Sequence, residues 1–242
     1  DRTDDRIKVK YFAKEFGGKT VGQRYASWKG SKNVIMYSSG AYMSDFDASQ
    51  ADIVGLTVDN GNVLNRTLIT GRLGALVVTF PNGSIEVKNI ADQNLTFSSM
   101  GEPIKFNLYD DRSLVRFIDW VKENKITVFQ THLLAHNNTL KVHANGDRNQ
   151  ARRRFLMSAK DAWGDEYYFI IHRNEAITLY QGTKSVFDYL RGEGYEVNSI
   201  INLDTGAQDV FRFYSPSGTV SGLLSGELEL SGARNLMSFY YE

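Results

Sequence analysis

Asn60-Gly61 sits between two short apolar runs, and no other short stretch constrains the fold as strongly. Asn-Gly closes a two-residue hairpin because both of its positions accept φ > 0, which matches the twist of paired strands. A second turn follows. Gly74–Phe80 runs apolar into Pro81-Asn82-Gly83, and Ile85-Glu86-Val87 returns the chain. Two consecutive hairpins imply antiparallel sheet, and Asn145-Gly146 supplies a further turn. With 21 Gly, 3 Pro and 30 aromatic residues in 242, the composition suits a strand-rich protein with many glycine turns.

Further strands are read at residues 6–12, 34–37, 53–58, 126–131, 155–159, 167–172, 177–180 and 197–203. Residues 113–123 predict a helix, with Leu114, Phe117, Ile118 and Val121 on one face and Ser113 or Asp111 as its cap. Residues 184–191 predict a second, capped by Thr183 and ended by Gly192 or Gly194. The stretch between these strands through Trp28 and Lys32 reads as irregular. No linker, repeat or low-complexity tract interrupts the chain. The expectation is a single α+β domain over 1–242, with a mixed, largely antiparallel sheet and a few flanking helices.

Charge and cysteine content exclude several functions. Lys+Arg and Asp+Glu are 28 each, without the basic excess of a general nucleic-acid binder. With no cysteine, disulfides, thiolate catalysis and zinc–cysteine sites are excluded. No apolar stretch is long enough to span a bilayer. The chain begins at Asp1, as a processed or trimmed form does, and no signal peptide is visible. His132 and His136 have helical zinc-pair spacing, but they fall on a strand and loop with no Glu after the first, so no metal site is predicted. No nucleotide-binding or nucleophile-elbow glycine motif is present, and no cofactor is predicted.

Two stretches carry candidate chemistry. Ile200–Asp209 is an apolar run that delivers Asp204 to its exit, just before Gly206. Turn geometry alone accounts for Asp and Gly there, while a carboxylate on a strand end is also how a rigid site is built. Arg152-Arg153-Arg154 precedes the strand Phe155–Ala159. Alternation lets only one face point inward, and one Arg held on a strand end suits bidentate phosphate binding.

The string Ile201-Asn202-Leu203-Asp204-Thr205-Gly206 resembles the Asn-Leu-Asp-Gly-Gly signature of the phosphodiester glycosidase family, to which the animal mannose 6-phosphate uncovering enzyme and bacterial exopolysaccharide-related proteins belong. Tyr37–Tyr42, Val128–Thr131 and Arg154–Ser158 resemble three more of its segments, in the family's order, and the resemblance spans roughly residues 33–215. Ser39, Thr205, Gln208-Asp209 and Ser158 depart from the family pattern. The resemblance implies hydrolysis of a sugar-1-phosphodiester between the anomeric carbon and the phosphate, in glycan or cell-envelope polysaccharide metabolism. It assigns Asp204 the carboxylate role and Arg154 the phosphate. Ser39, Gln130 and Thr131 would bind sugar or phosphate oxygens, and Gly40 and Gly206 would admit close backbone approach. Thr205 and Gln208 are secondary candidates. It also implies a periplasmic or secreted location and a sugar-phosphate or glycan partner. The altered signature keeps open a non-catalytic module that binds phosphorylated glycan.

Overall fold

The computed structural model describes residues 7–14, 16–30, 32–43, 53–98, 101–146, 148–206, 209–214, 220–222 and 230–242. Gln208 therefore lies outside the described residues. In chain order the elements begin with β1 (Ile7–Phe12), α1 (Val21–Lys29), β2 (Asn33–Ser38), β3 (Thr57–Asp59), β4 (Asn62–Asn65), β5 (Ala75–Thr79) and β6 (Ile85–Asn89). They continue with β7 (Leu95–Phe97), β8 (Ile104–Phe106), α2 (Asp111–Glu123), β9 (Thr127–Thr131), β10 (Leu133–His136), β11 (Thr139–Leu140) and β12 (Ala151–Lys160). The last are β13 (Glu166–Ile177), α3 (Leu179–Gly192), β14 (Glu196–Leu203), β15 (Phe211–Tyr214), β16 (Val220–Gly222) and β17 (Leu236–Tyr241), with a 3-10 turn at Leu230–Gly232. Helices and largely antiparallel sheets make this an α+β fold.

The chain divides into two compact units, one comprising Thr131–Thr205 and the other Arg6–Gln130 with Gly206–Glu242. The larger unit holds two five-stranded sheets, ordered β1-β17-β2-β15-β16 and β4-β3-β9-β5-β6, and the β7–β8 hairpin. The Asn60-Gly61 turn joins β3 to β4 with φ of 50° and 79°, so the turn dipeptide does what its backbone freedom allows. Phe117, Ile118 and Val121 of α2 pack on Val58, Leu76, Val78 and Val128 of the second sheet. Asp110 caps this helix by accepting from the Ser113 amide at 2.7 Å, one residue before the predicted cap.

The segment read as irregular is α1. Thr20 and Gln23 form a reciprocal capping box, and Val21, Tyr25 and Trp28 recur at helical spacing. Tyr25 packs with Phe12, Tyr37 and Leu236, while Trp28 lies against the same cluster. The tertiary core rewards a sparse stripe that is weak in isolation.

In the smaller unit the sheet order is β11-β10-β14-β12-β13, with antiparallel pairing throughout. Helix α3 packs Val186, Phe187 and Leu190 against Phe155, Met157 and Ile200. It begins at a Thr178–Gln181 capping box, so residues 177–180 are a strand end and a first helical turn rather than a separate strand. Gly182 fits because a Cβ there would lie 2.9 Å from Phe155 Cζ.

Candidate functional site

The smaller unit gathers the sequence-predicted Thr131, Arg154, Asp204 and Thr205 at one end of its sheet. Antiparallel register sets Arg154 of β12 opposite Leu203, the last residue of β14, and opposite His172 of β13. Asp204 follows directly. Phe155, Met157 and Ala159 belong to the core cluster with α3, so alternation puts Arg154 on the opposite face. Arg154 is fully buried and Asp204 is 8% exposed.

Neighbouring polar groups fix the backbone around them. Thr205 Oγ1 donates to the Arg152 carbonyl at 2.7 Å, which carries the chain beyond β14 alongside the arginine run. The Thr131 hydroxyl donates to the Asn202 carbonyl, and the Asn202 amide donates to the His132 carbonyl at 3.3 Å. Arg153, on the other face, donates to the Asn149 and Ile177 carbonyls. By alternation Arg152 shares the face of Arg154, and of these two only Arg154 is fully buried. A guanidinium stays charged at any accessible pH, and burying it is costly without charged or hydrogen-bonding partners. A permanent cation buried on a rigid strand end is suited to holding an anion.

The larger unit contains Ser39, Gly40, Gln130 and Gly206. Ser39 and Val210 bind each other twice: the Ser39 amide donates to the Val210 carbonyl at 2.8 Å, and Ser39 Oγ accepts from the Val210 amide at 2.9 Å. A Cβ on Gly40 would sit 3.0 Å from Tyr11 Cε2, so Gly40 serves close packing against a ring that stacks on Phe129. The Gly206 carbonyl accepts from the Asp209 amide at 3.1 Å. Gln130 is fully buried, and its amide spans two backbone segments. Oε1 accepts from the Leu56 and Ile69 amides, and Nε2 donates to the Ile69 and Leu73 carbonyls, all at 2.8–3.0 Å.

Two features of this unit had no signal in the sequence. Asn235 accepts from the Gly40 and Ala41 amides and donates to the Ala41 carbonyl, holding the turn after β2 from almost 200 residues away. Asp59 and Arg24 form an ion pair at 2.6 Å, with their side chains 4% and 17% exposed. Asp59 also accepts from the Ala13 amide, and Arg24 donates to the Lys14 carbonyl. Burial pushes the nearby Lys10 ammonium below its ordinary pKa; Asp59 opposes this shift and Arg24 adds to it.

Among the described residues, no group of three or more His, Asp or Glu is arranged to hold a metal ion. No described helix is long and apolar enough to cross a membrane.

No family model and no curated protein matches the sequence. Among solved structures, the chain is similar to the catalytic domain of zebrafish N-acetylglucosamine-1-phosphodiester α-N-acetylglucosaminidase, auto-inhibited by its pro-peptide. The TM-score is 0.51 at 14% identity, over 98% of this chain and 73% of that one. What the two share is a fold. A hypothetical protein from Synechocystis is also similar, at TM-score 0.46 and 10% identity, over 99% of this chain and 58% of that one.

Proposed function

We propose that this chain is a phosphodiester glycosidase that hydrolyses a sugar-1-phosphodiester at the bond between the anomeric carbon and the phosphate oxygen. The observation that carries the reading is the strand end in the smaller unit, where Arg154 lies in register with Leu203 and Asp204 follows. The fold shared with the zebrafish glycosidase domain supports it. The phosphate is the leaving group and is a weak base, so it needs a neutralising cation more than a strong general acid. Arg154 supplies that cation. Asp204 activates the attacking water or stabilises the oxocarbenium-like centre. Thr131 and Thr205, engaged with carbonyls, hold the backbone that presents these two groups. The proposal includes a periplasmic or secreted setting and a glycan or cell-envelope polysaccharide substrate.

The altered signature at Thr205 and Gln208 favours a second reading, in which the chain binds phosphorylated glycan without turnover. One experiment separates the two. The protein is incubated with α-linked sugar-1-phosphodiesters, sugar release is followed, and binding is measured by calorimetry. Hydrolysis lost in Asp204→Asn and Arg154→Ala, with circular dichroism unchanged, supports the enzyme. Binding without hydrolysis supports the module. Turnover unchanged in both variants overturns the assignment of these residues.

A further inference from the structure

The turn between β12 and β13 is tied to the core of the smaller unit. Asp161 Oδ1 accepts from the Trp163 and Asp165 amides at 2.9 and 3.0 Å, and its Oδ2 accepts from the Tyr167 hydroxyl at 2.6 Å. The Asp161 amide donates to the Asp165 carbonyl and the Gly164 amide to the Asp161 carbonyl, both at 3.1 Å. The Tyr167 ring lies against those of Phe169 and Tyr195, with centroids 6.1 and 5.1 Å away. Phe169 and Tyr195 in turn pack on the core cluster beneath α3. A chain of contacts therefore runs from the core through Tyr167 and Asp161 to the turn.

What this framework carries is Trp163, with 87% of its surface exposed. Single exposed apolar residues are ordinary. An indole on a turn already fixed by its own hydrogen bonds differs, because a ligand need not meet the cost of ordering it. The surroundings decide the kind of ligand. Lys160 stands in register with Glu196 of β14 at this end of the sheet, and Lys160, Asp165 and Glu196 are all exposed. The centres of protein interfaces are depleted in Lys, Asp and Glu, so this fringe does not suit a protein partner. It suits a pyranose. The C–H face of the sugar packs on the negative π face of the indole, while its edge hydroxyls accept from an ammonium and donate to carboxylates.

We propose that Trp163 is a stacking platform for one sugar unit of a glycan chain, separate from the strand end that holds Arg154 and Asp204. The ligand class rests on the glycan substrate proposed above. Arg154 and Lys160 are separated along β12 by about 20 Å of extended strand, and Trp163 lies beyond Lys160. A single sugar-1-phosphodiester cannot reach both places, whereas a polymer of several sugars can. The platform thus acts on polymeric glycan, keeping the chain near the strand end by raising its effective concentration there.

Affinity electrophoresis of the full chain through gels containing phosphomannan, or mannan without phosphate, tests the platform. Retardation in both gels is expected, because the indole reads the sugar and not the phosphate. Trp163→Ala should weaken retention about tenfold or more, and Trp163→Phe, which keeps a ring face, should restore most of it. Polymer should also shield the indole from acrylamide quenching. At its exposure Trp163 contributes little packing, and circular dichroism checks that both variants fold. The proposal is overturned by no retardation in either gel, by retention in phosphomannan alone, or by retention that Trp163→Ala leaves intact. A Trp163→Phe variant no better than Trp163→Ala, or an indole equally open to acrylamide with polymer present, also overturns it. Trp163-dependent retention without sugar release from phosphomannan removes the catalytic reading and leaves the platform standing.

Discussion

Gln130 lends itself to a quantitative test, because its amide uses its whole hydrogen-bonding capacity inside the protein. Gln130→Met keeps much of the side-chain volume, so the cavity contribution is small. Four backbone groups lose their partner. The Leu56 amide and the Leu73 carbonyl are buried, whereas the two bonds to Ile69 are partly buried and water can replace them. An unsatisfied buried group costs about 1–3 kcal/mol, so the two buried groups cost about 2–6 kcal/mol together. That is a large share of a typical folding stability of about 5–15 kcal/mol. Urea denaturation followed by fluorescence reports this directly, since Trp120 packs against the core of the same unit. The midpoint should fall strongly, and any hydrolytic activity should persist under conditions where the variant remains folded. A loss below about 1 kcal/mol would refute the backbone-clamp account. So would a folded variant that no longer binds sugar-1-phosphodiester, which would return Gln130 to the substrate.

Two further perturbations follow from the same geometry. Arg24→Met leaves the Asp59 carboxylate, 4% exposed, without its ion pair and should cost about 3–5 kcal/mol in urea denaturation. Asp59→Asn in the same chain should recover much of that loss, and a purely additive double variant would contradict the pairing. The hydroxyl of Tyr167, followed by the Asp165, Trp163 and Gly164 amides, holds the Asp161 carboxyl below the ordinary 3.8. With the folded value depressed, the stabilisation is present above about pH 3.8 and is lost as pH falls through the folded value. Carbon NMR titration of Asp161 should show its midpoint rise in Tyr167→Phe, and an unmoved midpoint would remove the hydroxyl as the main cause.

Local chemistry determined much of this protein. The Asn60-Gly61 and Pro81-Asn82-Gly83 turns specify hairpins because they supply the backbone angles a tight reversal needs, and both form. The amphipathic stripe at 114–121 specifies α2, and the apolar run before Asp204 specifies β14, because periodicity and run length are local properties. The α+β class follows from these elements. Helix α1 was not legible, since its three apolar residues gain their value only against Phe12, Tyr37 and Tyr240.

Tertiary structure alone decided which polar residues face which partners. Alternation could single out the Arg152–Arg154 run but not which of its faces is buried, and only the family resemblance points to Arg154. The pairing of β12 with β14 sets Arg154 opposite Leu203, and the α3 core occupies the other face. Gln130 reads as a polar strand end, yet its amide is consumed by backbone groups 57–74 residues away. Asn235 and the Arg24–Asp59 pair are equally silent in one dimension, since a hydrogen bond or ion pair depends on a few ångströms of separation and not on distance along the chain.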